Sequence, residues 1–253
     1  MDVLSLGLLM FGCAVAVLAG LIKGMVGFGM PMILISGLSS VLPPDVALGW
    51  LILPTLVTNG WQALRQGVRA AWESIRRFRL FLVAGFVVMI LSAQLVAIVP
   101  AKAMLWAIGL PITLYAGATL LGRPLRLPHP PGRKIEAGVG AVAGFFGGIS
   151  GVWGPPTVAL LTALDTEKTE QIRVQGVIYG AGAVVLMGAH LTSGVLNSDT
   201  MPASGLLVLP ALLGMWIGFR IHDRIEQAAF RKLTLIVLLI AGLNLIRRAV
   251  FSV

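Results

Sequence analysis

Charge is what this chain has least of. Asp, Glu, Lys and Arg together make up 11% of its 253 residues, where a soluble domain carries about a quarter. Carboxylates are scarcest, ten against 19 basic residues. All ten lie near the ends of apolar segments, whereas a cation carrier ordinarily needs one inside the membrane; the balance therefore leans toward an anionic substrate. Cys13 is the only cysteine, which excludes an internal disulfide and a cysteine-built metal site. His129, His190 and His222 are widely separated and form no HExxH-type pair, so no metal is expected. There is no GxxxxGK[ST] loop for a nucleotide phosphate, and nothing calls for a cofactor. The alternating apolar and polar pattern of a transmembrane β-barrel is also missing.

What the chain has in quantity is apolar length. Hydrophobic residues reach 57% and the mean hydropathy is +0.94. Several apolar runs attain the roughly 20 residues that cross hydrocarbon as a helix. The expected fold is all-α, a polytopic integral membrane protein embedded in a lipid bilayer. About ten helical segments are read, near 3–22, 29–42, 45–65, 78–99, 103–121, 134–149, 155–164, 168–195, 204–221 and 227–250. The first is read as an uncleaved span, because no basic region precedes it. The second and seventh are short, and the sequence leaves open whether they cross fully or are re-entrant. With ten crossings, sixteen of the 19 basic residues fall on one side. The positive-inside rule makes that side cytoplasmic and puts both termini outside the cytoplasm. Topology thus accounts for the net charge of +9, and no nucleic-acid partner is expected.

The chain repeats itself. AGLIKGMVGFGMP at 19–31 aligns with AGFFGGISGVWGPP at 143–156. Gly20, Gly24 and Gly27 match Gly144, Gly148 and Gly151; after one inserted residue, Gly29 and Pro31 match Gly154 and Pro156. Farther on, a glycine-spaced helix recurs, with Gly85 in one half and Gly214 and Gly218 in the other. Residues 1–121 and 134–253 read as two membrane repeats joined by a cytoplasmic connector, 122–133. Five segments per repeat is odd, so the second copy inserts upside down, as in many secondary transporters.

Glycine costs a helix about 1 kcal/mol per residue and proline about 3, so two such clusters need a reason. One is close helix packing through small residues at Gly20/Gly24 and Gly144/Gly148. The other is a substrate site. Backbone freed in a membrane must face protein or a wet cavity, and helices restarting at Met30-Pro31 and Pro155-Pro156 present bare N–H groups suited to an anion. The recurrence in both halves favours the site, expected near mid-membrane where the breaks meet. It draws on Gly24, Gly27, Gly29 and Pro31, and on Gly148, Gly151, Gly154, Pro155, Pro156 and Thr157. Further candidates are Asn59, on a polar face with Thr55, Thr58 and Gln62; Arg173, whose planar guanidinium suits sulfonate or carboxylate oxygens; and Gln175. Lys23, read between the first two segments, is weighed as a topology marker first and an anion attractor second.

The duplicated glycine-proline motif, the arginine-bearing segment after it, and the closing GLLVLPALLGMWIGFRIHDRIEQAAFRKL resemble the TauE/SafE sulfite-exporter family over nearly the whole chain. The resemblance implies a bacterial inner-membrane permease for sulfite, organosulfonates or related small anions, and no enzyme. It leaves open a coupling proton or ion and assembly into a homo-oligomer. Lys23 stands where the second motif has Gly147, so the copies are not equivalent. Two rivals remain. Gly148-Ile149-Ser150-Gly151 resembles the G-x-S-G motif of rhomboid-type proteases, with His190 downstream on another apolar segment as a dyad partner. A passive anion channel is the other.

Overall fold

The structure is a computed structural model that describes residues 6–95, 100–127, 132–150, 153–192 and 194–251; for Ala101, Ser150, Ala189 and Thr192 only the backbone is described. Among the described residues there are twelve helices and no strand. They are α1 (Leu6–Val26), α2 (Met30–Leu38), α3 (Pro44–Leu64), α4 (Val68–Arg77), α5 (Arg79–Ala93), α6 (Ala101–Leu120), α7 (Arg133–Ser150), α8 (Gly154–Ala163), α9 (Lys168–Thr192), α10 (Met201–Leu206), α11 (Val208–Arg224) and α12 (Gln227–Phe251).

The count exceeds ten for two local reasons. The arginine-rich connection after α3 is itself a helix, α4, which buries Ala71 and Ser74 and exposes Val68, Arg69, Trp72 and Arg76. The ninth expected segment divides at Leu207, where Pro210 enters the first turn of α11; proline is tolerated there because the first-turn N–H has no helical acceptor. Lys23 also moves: α1 continues through it to Val26, so it lies inside a helix and not in a connection.

Among the described residues, four helical stretches are long and apolar enough to cross a membrane: Leu6–Val26, Lys102–Leu120, Met201–Arg224 and Gln227–Phe251. Large apolar side chains are exposed in stripes along one face of a helix, such as Val83, Val87 and Ile90 on α5, Leu209, Leu213 and Trp216 on α11, and Ile236, Ile240 and Leu243 on α12. In water such faces would demand a partner; a multi-pass membrane protein meets them with lipid.

The chain divides into two compact units that cut across its sequence halves. The first comprises the chain up to Ala71 together with Ile172–Glu226; the second comprises Trp72–Gln171 and the chain from Gln227 onward.

In the first unit, α1 and α11 touch backbone to backbone. A Cβ at Gly20 or Gly24 would run into the Ala211 and Met215 carbonyls, and one at Gly214 or Gly218 into those of Val17 and Leu21. The chain reverses at the glycine break, and α2 folds back along α1, bringing Gly37 against Val15. Trp50 near the start of α3 packs on Gly12, while Asn59 and Gln62 near its end reach Lys23 and Gly27. Thus α1 and α3 run parallel, with α2 returning between them. Met30, Leu34, Leu38, Trp50, Leu207 and Ala211 form the apolar core.

In the second unit the same pairing recurs with the halves exchanged. Here α7 packs on α5, with Gly140 against Phe81, Gly144 against Gly85 and Gly148 against Met89 and Ser92. The short α8 follows the second break, and its last carbonyl, on Ala163, accepts the Leu127 N–H at 2.8 Å. Helices α6 and α12 cross where Gly109 meets Gly242. Glu136, buried in the first turn of α7, accepts the N–H groups of Leu80 and Phe81 at 3.1 and 3.2 Å, supplying the opening turn of α5 with a charged cap.

Candidate functional site

The first break is built by two left-handed glycines. Gly27 has φ +86° and Gly29 φ +92°, a region that costs residues with a Cβ about 1–2 kcal/mol. Gly29 is the N-cap of α2, with no side-chain hydrogen bond to the helix and with proline in the first turn. The carbonyls that end α1 do find donors. Gln62 on α3 donates from Nε2 to Gly27 O at 3.0 Å and to Ile172 O at 2.8 Å. Gln175 on α9, with its amide oriented to suit its neighbours, donates to Val26 O at 3.1 Å and to Gly27 O at 3.3 Å. Two buried amides thus cap the acceptor end of α1, while the donor end of α2 stays without a side-chain cap.

Lys23 sits one turn before this break with only 1% of its surface exposed. Its Nζ donates to Asn59 Oδ1, and among the described residues no carboxylate forms an ion pair with it. Asn59 and Gln62 lie three residues apart on one face of α3. Thr58 beside them donates to Pro54 O at 2.6 Å and touches Met30 Sδ at 3.3 Å. Gln62 Oε1 is buried and lacks a hydrogen-bond partner. Arg173, half-buried two residues before Gln175, donates to Gln66 on the chain just past α3.

Lys23, Gly27, Asn59, Gln62 and Gln175 therefore form one connected cluster in the first unit, at the end of a helix long enough to cross a membrane and level with the last turns of α3. The cluster follows directly on the last turn of α1, which runs 21 residues before the break. Gly24 is set by its contact with α11.

The second-break residues lie in the second unit. Gly148 packs against α5. Gly151 lies outside the described residues. Gly154, Pro155 and Pro156 open α8, again without a side-chain cap. Thr157 is buried, and its hydroxyl turns back onto Trp153 O at 3.0 Å. Pro156 lines an apolar hollow of about 280 Å³ with Ile108, Phe146 and Leu160. Of the proposed protease pair, the Ser150 side chain is not described, and His190 lies in the last turn of α9.

Sequence reading missed the burial of Lys23 and the capping role of Gln62. The signal for both was spacing: Lys23 is four residues before Gly27, hence on the same helical face, and Gln62 is three after Asn59.

A family profile described as sulfite exporter TauE/SafE matches residues 12–245, nearly the whole chain. No curated protein and no solved structure matches.

Proposed function

Since the chain belongs to the TauE/SafE sulfite exporter family, we propose that it is a secondary transporter moving sulfite, organosulfonates or related small carboxylates across the bacterial inner membrane by alternating access. The observation that carries this reading is Lys23. A buried ammonium costs several kcal/mol unless something compensates it. Among the described residues its side-chain hydrogen-bond partner is a neutral amide, and the terminal carbonyls of α1 offer a fraction of a charge. An oxyanion beside it supplies the missing charge, with the Asn59 amide and the open first turn of α2 completing its hydrogen bonds. Gly27, Gly29 and Pro31 shape that turn, Gln175 with Gln62 holds the break rigid, and Arg173 draws the anion toward the cluster. Gly154, Pro155, Pro156 and Thr157 play the corresponding part at the second break, where no lysine matches Lys23. The swapped pairing of α1 with α11 and of α7 with α5 supports two inverted repeats. The charge pattern supports termini outside the cytoplasm.

Uptake of labelled sulfite, taurine and acetate into proteoliposomes tests the proposal. Wild-type protein should exchange at least one of them against an unlabelled gradient, which a passive channel does not do. Lys23→Met should lower apparent affinity about 10- to 100-fold, the equivalent of one charged hydrogen bond. Unchanged uptake by correctly inserted Lys23→Met would remove the site. Membership in an exporter family runs against a Ser150–His190 protease, and Ser150→Ala should transport normally.

A further inference from the structure

The apolar hollow in the second unit is a groove with a direction. It runs along α6 from Ala107 to Tyr115, about 12 Å of helix, and is walled by Val139 and Phe146 of α7 and by Ala159 and Ala163 of α8. Of its thirteen lining residues only Tyr115 carries a polar side-chain atom, which fits neither an oxyanion nor a column of water. It is partly open, and Trp106, Leu110 and Leu114, next in sequence to its lining residues Ala107, Pro111 and Tyr115, are exposed apolar side chains of α6. The groove therefore lies on a helix that also carries an exposed apolar face.

One end of the groove is basic. The connector after α6 reads Arg123-Pro124-Leu125-Arg126-Leu127. Leu125 and Leu127 both line the groove, and the Leu127 N–H is fixed to the last carbonyl of α8. Arg126, between them, is exposed, as is Arg123. Neither forms an ion pair among the described residues. Arg231 of α12 stands near enough to Tyr115 for its charge to reach the phenol. It spends Nη1 on Asp165 at 3.1 Å, while its Nη2 is buried without a hydrogen-bond partner. Apolar length ending in two free guanidinium groups and one unused guanidinium nitrogen matches a single kind of molecule in a membrane.

We propose that this groove holds an acyl chain of an anionic phospholipid whose phosphate is bound by Arg126 and Arg231 at the connector end. The chain's methylenes cover Ile108, Ile112 and Phe146, and the phosphate oxygens accept from the guanidinium groups. The site is independent of anion transport at Lys23.

The test is thermal unfolding of the purified full-length protein in detergent, titrated with phosphatidylglycerol or phosphatidylcholine of identical acyl chains, together with native mass spectrometry of the bound lipid. Phosphatidylglycerol should raise Tm by several degrees more than phosphatidylcholine and should survive as a one-to-one adduct. Ala159→Trp, which fills the groove, should abolish the shift, and Arg126→Gln should erase the preference between the two lipids. Equal shifts from both lipids would mean a greasy surface only and would overturn the proposal. So would an undiminished phosphatidylglycerol preference in Arg126→Gln, which needs no repacking of the core, or a wild-type dimer that Ala159→Trp breaks.

Discussion

Gly27 and Gly60 are both glycines in an apolar chain, yet their surroundings are opposite. A Cβ on Gly27 would collide with the Gln175 amide, and the residue holds φ +86°. A Cβ on Gly60 would meet nothing within 4 Å beyond its own helix. Gly27→Ala should therefore lose about 1–2 kcal/mol to backbone strain and displace the amide that caps α1, lowering both Tm and transport. Gly60→Ala should gain up to about 1 kcal/mol from helix propensity and leave transport intact. Thermal unfolding of the two purified variants checks the contrast; equal Tm changes would refute it. A second expectation at this scale concerns Arg173. Its guanidinium is half-buried on Gln66, two residues before the capping Gln175. Arg173→Gln should raise the apparent KM for the anion several-fold while changing Vmax little, measured as initial uptake. An unaltered KM would reduce Arg173 to a marker of topology.

Helices in this chain are positioned by what their breaks leave unpaired. Pro54 has no N–H for the Trp50 carbonyl four residues back, and Ser204 fills the gap. Its hydroxyl donates to Trp50 O at 3.1 Å and accepts the Leu53 N–H, also at 3.1 Å. Ser204→Ala would leave the buried Trp50 carbonyl without a partner, costing about 1–3 kcal/mol; Ser204→Thr, which keeps the hydroxyl, should recover part of it. The lowered Tm of the alanine variant is the readout, and a wild-type Tm would show that α3 relaxes around the proline. Much at this scale could be read beforehand. The spacing of Gly20, Gly24, Gly144 and Gly148 signals close helix contact, and their partners Gly85, Gly214 and Gly218 stood out by the same spacing. What escaped is equally specific. Helix α4 was hidden because its arginines read as a topogenic connection, masking the apolar period of Val68, Ala71, Trp72 and Ile75. Lys23 was misplaced because a charged residue near a glycine break resembles a helix end. Only the three-dimensional path of α1 shows one more turn and the burial that comes with it.

For the molecule as a whole, the apolar composition and the scarcity of charge made an all-helical membrane protein legible from the first inspection, and the glycine-proline duplication made the family legible. The exchange of helices between sequence halves was not, since no local pattern reports that α1 will pair with α11 instead of a neighbour in its own half. Orientation is a prediction of its own. In a Cys13→Ser background, Arg126→Cys should react with an impermeant maleimide only when the cytoplasmic face is open, and Lys102→Cys only from the opposite side. The reverse pattern would invert the topology. The central claim, that a buried uncompensated lysine receives an anion, is most directly tested by isothermal titration of sulfite into the purified protein. The account predicts saturable one-to-one binding for the wild type, weakened about 10- to 100-fold by Lys23→Met and largely kept by Lys23→Arg. Binding of equal strength to wild type and Lys23→Met would contradict it.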